Sequence, residues 1–161
     1  MSLKKIEVLS LNPHFFKHLM QCFLTGYNKP CDLRLIFMVL PILLYEPSRT
    51  KLASAVSTSR LESIFNTPIK IDDSSKLSGK TRLTGFGARY ETLQPITKQT
   101  LIILHSDQAI SITGRYIIAN KSTSYKDFSK ATSPWMRAAH YLGVVFAKTA
   151  EDHIVYFLGV D

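Results

Sequence analysis

Apolar positions in the first third of the chain recur with a helical period. Phe15, Phe16, Leu19, Met20, Phe23 and Leu24 fall on one face, and His14, Lys17, His18, Gln21 and Thr25 fall on the other. Asn12 is a good N-cap and Pro13 suits the first helical position, so the spacing predicts a helix opening at 12. Gly26 is the expected stop. Upstream, KIEVLS at 5–10 alternates enough for a short strand or an extended arm.

The pattern then changes. Residues 33–50 read LRLIFMVLPILLYEPSRT, and from Leu35 to Tyr45 there is no charge. This predicts a second helix over 32–46, capped by Asp32, kinked at Pro41 and ended by Pro47. A helix apolar on all sides must be surrounded, which places it at the centre of the fold. It is not a membrane span: the apolar run is about half of the roughly 20 residues required. Asp32 and Arg34 precede it, and Glu46 and Arg49 follow.

Further along, Ser59 and Glu62 have capping-box spacing ahead of Ile64 and Phe65, predicting a short third helix. Residues 66–80 carry Pro, paired Asp, Ser and Gly without a period and read as a loop. Leu83, Phe86, Tyr90 and Leu93 recur at helical spacing, although Gly85 and Gly87 each weaken a helix by about 1 kcal/mol relative to alanine, so something else must require them. Pro95 opens another helix through His105, and two β-prone runs around Gly114 predict a hairpin at 109–119. The polar stretch 121–133 reads as a loop. Ser133-Pro134 opens a C-terminal helix with Trp135, Ala139, Leu142 and Phe146 on one face. A last short helix is expected from a Thr149 cap to Gly159.

These elements predict a mainly α protein: a helical bundle with one β-hairpin, in the helix, helix, hairpin order of a winged helix-turn-helix. The 161 residues suit a single domain, with a helical core at 12–107, the hairpin or wing at 109–119 and a C-terminal helix pair at 133–160. A chain of this length needs neither disulfides nor metal to fold. Two cysteines, Cys22 and Cys31, are too few for a disulfide scaffold, and no signal peptide is evident, so a cytoplasmic protein with reduced thiols is expected.

Charge adds one element to this picture. The formal net charge is +8, with twelve basic and six acidic residues up to Arg82 against eight and six afterwards. Such a balance favours an acidic partner, either nucleic acid or an acidic protein surface; the alternative is a solvated surface that keeps the protein soluble. In a winged helix the helix before the wing enters the major groove. Here it offers Thr97, Lys98, Gln99 and Thr100, with Arg115 on the wing and Arg82 and Arg89 upstream. One lysine is thin for groove entry.

Catalytic chemistry finds little support. His14, His18 and Cys22 follow one another at i, i+4, i+8, ligand types that zinc accepts, but no fourth ligand stands out and a solvated histidine face with a half-buried cysteine is the simpler reading. There is no GxSxG elbow and no cysteine-protease signature. Gly85-Phe86-Gly87 and Ser78-Gly79-Lys80-Thr81 are fragments, not phosphate-binding motifs. No catalytic, cofactor or metal residue is assigned, and an enzyme is not expected.

The order of several short motifs does carry a resemblance. Asn12-Pro13, Gly26-Tyr27, the LRLIFMVLPILLYEPSRTKL run, Phe86-x-x-Arg89, Leu93-x-Pro95-x-Thr97, AAHYLGVVFAK and IVYFLGV follow one another from Asn12 to Val160. With them the chain resembles the middle components of bacterial three-component ABC-ATPase conflict systems, departing at Leu52-Ala53, where the family tends to have Leu-Pro. The resemblance implies a small non-enzymatic adaptor, encoded between an ABC-type ATPase and an effector, in defence against phage or other invading DNA. Arg49, Arg89 and Lys98, each polar and beside an apolar motif, are the candidate partner-binding residues. The alternative for Arg49 is a cap at the end of the central helix, and for Arg89 a structural ion pair.

Overall fold

A computed structural model describes residues 12–66, 69–70 and 76–159. The arm expected at 5–10 lies outside the described residues. In chain order the elements are α1 (Pro13–Tyr27), β1 (Cys31–Asp32), α2 (Leu33–Leu43), α3 (Glu46–Ala53), α4 (Leu61–Phe65), β2 (Ile69–Lys70), β3 (Lys76–Leu77), a 3₁₀ turn (Gly79–Leu83), α5 (Phe86–Thr92), α6 (Gln94–Ser106), β4 (Ile110–Thr113), β5 (Tyr116–Ala119), a second 3₁₀ turn (Tyr125–Asp127), α7 (Ser133–Ala147) and α8 (Glu151–Leu158). The protein is thus mainly helical with a small antiparallel sheet, and among the described residues no helix is long and apolar enough to cross a membrane.

Helix α1 starts as the sequence predicts: the Asn12 side chain accepts from the backbone N–H groups of His14 and Phe15, at 3.1 and 3.4 Å. It runs on past Gly26, however, and its left-handed cap is Asn28 at φ +56°. The glycine serves a different purpose. A Cβ on Gly26 would lie 1.9 Å from the carbonyl oxygen of His140, and a Cβ on Gly143 would lie 2.1 Å from that of Phe23. The backbones of α1 and α7 touch there, and only glycine permits that approach. Around this contact Phe23 meets Phe146 edge to face at 5.8 Å and Phe15 meets Trp135 at 5.6 Å.

The apolar run is two helices rather than one. Helix α2 ends at Leu43, two residues after Pro41, which therefore lies in its final turn. Pro47 does not end a helix; it occupies the first turn of α3, where its missing N–H costs nothing. Leu35, Ile36, Met38, Val39, Leu40, Ile42 and Leu43 are all buried, and α2 makes contacts with α1, α3, α5, α6, α7 and α8. That is the central position its composition requires.

Other boundaries shift for local reasons. In α4 the N-cap is Arg60, whose N–H donates to the Ser63 hydroxyl at 2.9 Å, while Ser59 instead accepts from Val56. The 66–80 stretch holds the paired strands β2 and β3 and the start of the first 3₁₀ turn. Gly85 caps α5 at φ +76°, a backbone region that excludes most side chains; nothing in the structure explains Gly87. The hairpin forms as predicted, Ile110–Thr113 with Tyr116–Ala119, turning on Gly114 at φ +60°. A third strand was not foreseen: β1 pairs with β5, Cys31 opposite Ile117 and Asp32 opposite Tyr116, giving the order β1-β5-β4. Two residues are too few to show an alternating pattern. Gly159 ends α8 in the left-handed conformation, as expected, but the cap at its start is Ala150 rather than Thr149.

The α1–α7 contact gives a direct prediction. Gly26→Ala and Gly143→Ala each force two backbones apart, and each should destabilise the protein by about 3 kcal/mol, the upper end of the overpacking range. Gly87→Ala, whose Cβ meets nothing within 4 Å among the described residues, should leave stability unchanged or raise it slightly. Urea titration of the three variants checks the contrast.

Candidate functional site

The candidate residues gather at the two ends of α2. At the C-terminal end, the last four carbonyls have no partner further along the helix and must be satisfied otherwise. Leu40 accepts from the Leu44 N–H at 2.9 Å. Pro41 accepts from Nε of Arg89 at 2.9 Å, across 48 residues of chain. Ile42 accepts from the Ser48 hydroxyl, which also reaches Tyr45 O at 2.9 Å. Leu43 accepts from Nη1 of Arg49 at 3.0 Å. Two guanidinium groups thus sit where the helix dipole is negative.

Aromatic rings hold both in place. The Arg49 guanidinium lies over the Trp135 ring at 3.6 Å, and that of Arg89 over Tyr45 at 4.2 Å. Arg89 also donates to Thr84 O, next to Gly85, where a Cβ would crowd the guanidinium at 3.0 Å. Burial lowers the pKa of both arginines. Nη2 of Arg89 is buried with no hydrogen-bond partner among the described residues. Of the two readings of Arg49, the cap at the end of the central helix describes its contacts. Arg89 takes backbone carbonyls and a ring rather than a carboxylate. Lys98 stands apart from both, exposed on α6 one turn before Ile102, itself 67% exposed.

At the N-terminal end, Asp32 caps α2 by accepting from the Arg34 N–H at 2.8 Å, and its side chain is wholly buried. Its carboxylate also meets the Arg34 guanidinium at 3.3 Å and Nε of Arg115, from the hairpin tip, at 3.2 Å. Arg34 continues to Asp152 at 3.4 Å and Glu151 at 3.8 Å in the first turn of α8. Burial alone would raise the Asp32 pKa, but the Arg34 N–H and the two guanidiniums outweigh it, and the pKa is lowered.

The same use of cations recurs elsewhere. Arg137 of α7 donates to Ala53 O at 2.7 Å and Ala55 O at 2.8 Å, closing the end of α3, and to the Tyr125 hydroxyl at 2.9 Å. Lys29 reaches Ala147 O at the end of α7 at 3.0 Å, Lys148 reaches Ser57 O and Ser59 O, and the buried Arg82 reaches Ile64 O at 3.3 Å. Arg137 and Lys148 were not singled out in the sequence, and their reach of more than 80 residues leaves no local signal. Six of the twenty basic side chains, counting Arg49 and Arg89, thus reach backbone carbonyls, with Lys29 and Lys148 doing so from the surface.

The metal-type stripe separates in three dimensions. His14 is exposed and His18 packs edge-on against Phe128 at 5.4 Å. Cys22 is fully buried, not half-buried, and burial pushes its thiol up to about 12, so it stays protonated at neutral pH. Among the described residues no three His, Cys, Asp or Glu side chains are placed to hold a metal ion. On the groove-entry face expected of α6, Thr97 and Thr100 are buried and donate back to Leu93 O and Ile96 O, leaving only Lys98 and Gln99 outward. An open groove of about 530 Å³ runs along α3, lined by Glu46, Pro47, Thr50, Lys51, Ser54 and Arg82.

Two predictions follow the two ends of α2. Arg89→Ala strips a buried carbonyl of its donor and should cost about 1–3 kcal/mol, with Arg49→Ala similar, whereas Lys98→Ala should stay within about 0.5 kcal/mol; urea midpoints separate the three. A lowered carboxylate pKa stabilises the fold above the unfolded value, and that stability is lost as pH falls through the folded one. Asp32→Asn should therefore cost on the order of 2–3 kcal/mol at pH 7, and the difference should shrink as pH falls below about 4, the ordinary carboxylate value, towards the lowered folded one. Thermal unfolding from pH 7 down to pH 2.5 checks this.

No curated protein and no solved structure matches the chain. A family model does, that of the ABC-three component (ABC-3C) system Middle Component 3, over residues 2–161. The match spans all but the first residue, and the chain belongs to the Middle Component 3 family of ABC-three component systems.

Proposed function

We propose that this middle component is a non-enzymatic adaptor, which couples the state of an ABC-type ATPase to that of an effector encoded alongside it in a bacterial, cytoplasmic, anti-phage defence system. The observation that carries the reading is the family match, which spans nearly the whole chain and names a component of a multi-part system. The chemistry of the described residues agrees with a binding role. The Cys22 thiol is protonated, and the Asp32 carboxylate is neutralised by two guanidiniums.

Lys98 is the residue proposed to face a partner directly. It sits on the outer face of α6, where Ile102 is exposed one turn on. Arg49 and Arg89 contribute at one remove, by fixing the end of α2 from which the outer elements are held. The α5, α6, hairpin order also fits a winged helix-turn-helix, and with it the alternative of a DNA-binding regulator. Arg89 and Arg82 point to backbone carbonyls, and the face of α6 expected to enter a groove turns only Lys98 and Gln99 outward, so the adaptor reading has the stronger support.

Co-expression with the neighbouring ATPase and effector tests the proposal. The tagged chain should retain at least one of them through purification, and Lys98→Glu combined with Ile102→Asp should reduce capture at least tenfold at unchanged thermal stability. Retention of neither partner, together with duplex-DNA binding that falls steeply with salt, would replace the adaptor by the regulator.

A further inference from the structure

We propose that Asp32 couples the tip of the β4–β5 hairpin to the start of α8, so that drawing Arg115 away from the hairpin side loosens α8 on the other. The inference rests on the geometry of one carboxylate and does not depend on the adaptor reading, although it would supply such an adaptor with a connection between two surface positions.

The key atom is Oδ2 of Asp32. It lies 3.2 Å from Nε of Arg115 and 3.3 Å from Nη2 of Arg34. Nη2 of Arg34 is itself divided, because it also lies 3.4 Å from Oδ1 of Asp152 and 3.8 Å from Oε2 of Glu151. Arg34 is thus shared between a buried carboxylate and two carboxylates at the beginning of α8. Arg115 satisfies part of the buried charge and leaves Arg34 available to α8.

Removing Arg115 changes that division in one direction. The Asp32 side chain is 0% exposed and that of Asp152 is 92% exposed. Attraction to the first is weakly screened and to the second strongly screened, so an unmatched Asp32 draws Arg34 inward. The ion pairs between the first turns of α8 and α2, which include Nη1 of Arg34 on Asp152 at 3.4 Å, then weaken. Ile154 and Leu158 remain buried and His153 remains on Glu62 at 3.1 Å, so the helix loosens at its start without leaving the core.

Both ends of the connection are accessible. The Arg115 side chain is 63% exposed, and a carboxylate-bearing protein surface seated on the hairpin tip is the partner chemistry that would compete with Asp32 for it. The effect is a shift between two arrangements of one guanidinium, biased from two separate sites.

Hydrogen exchange on the full chain tests the coupling. Arg115→Ala should speed exchange of amides 154–158 about two- to fivefold, the span of a partly exposed ion pair, and the increase should shrink at high salt. In an Arg34→Ala background the same Arg115→Ala change should leave those amides unaltered. The proposal fails if Arg115→Ala speeds exchange only in the hairpin and at 31–33, or if its effect on α8 persists without Arg34. A rise spread equally over α1 and α7 would also overturn it, since that marks general destabilisation.

Discussion

Helix α2 ends inside the protein, and its last turn of carbonyls has to find donors there. An exposed helix end can leave that task to water; one surrounded by apolar side chains cannot, and each unmet carbonyl costs about 1–3 kcal/mol. The donors come from the residue that follows the helix, Leu44 through its N–H, from Ser48 and Arg49 of α3, and from the distant Arg89 of α5. These donors reach their carbonyls only when α3 and α5 are seated against α2. The arginines in turn require Trp135 and Tyr45 beneath them, which ties in α7 and the α2–α3 turn. Satisfying one helix end thus positions most of its neighbours.

The opposite end of α2 follows the same logic with the charges reversed. A carboxylate at a helix N-terminus interacts favourably with the dipole. Asp32 is also part of a strand, so the N-cap of the central helix is simultaneously the edge that holds the hairpin. A net charge of +8 suggests a surface made for anions, yet Arg49, Arg82, Arg89, Arg137, Lys29 and Lys148 all reach main-chain oxygens. Formal charge counted along a chain does not distinguish a cation facing solvent from one closing a helix.

What the sequence makes legible is what local periodicity encodes. The apolar faces of α1 and α7, the central burial of 33–43, the Asn12 cap and the hairpin at Gly114 all follow from spacing within a few residues. The run through Pro47 was misread because a proline that ends one helix and a proline that begins the next produce the same local pattern, and only the Ser48 and Arg49 bonds to the preceding turn show which applies. The strand at Cys31–Asp32 is too short to alternate. The role of Arg89 depends on a carbonyl 48 residues away, and no property of its neighbours signals it. Glycine often ends helices, which makes Gly26 read as a stop; its reason lies in the backbone of His140, more than a hundred residues later.

That glycine pair has a mechanical meaning. Most helix contacts are cushioned by side chains, which can change rotamer and let one helix slide or turn on another. At Gly26 and Gly143 no such cushion exists, and main chain bears on main chain. The two helices therefore move as one beam. Any shape change transmitted through this protein has to be carried by what is attached to the beam, the hairpin, α6 and α8, while the beam supplies the fixed frame against which they move.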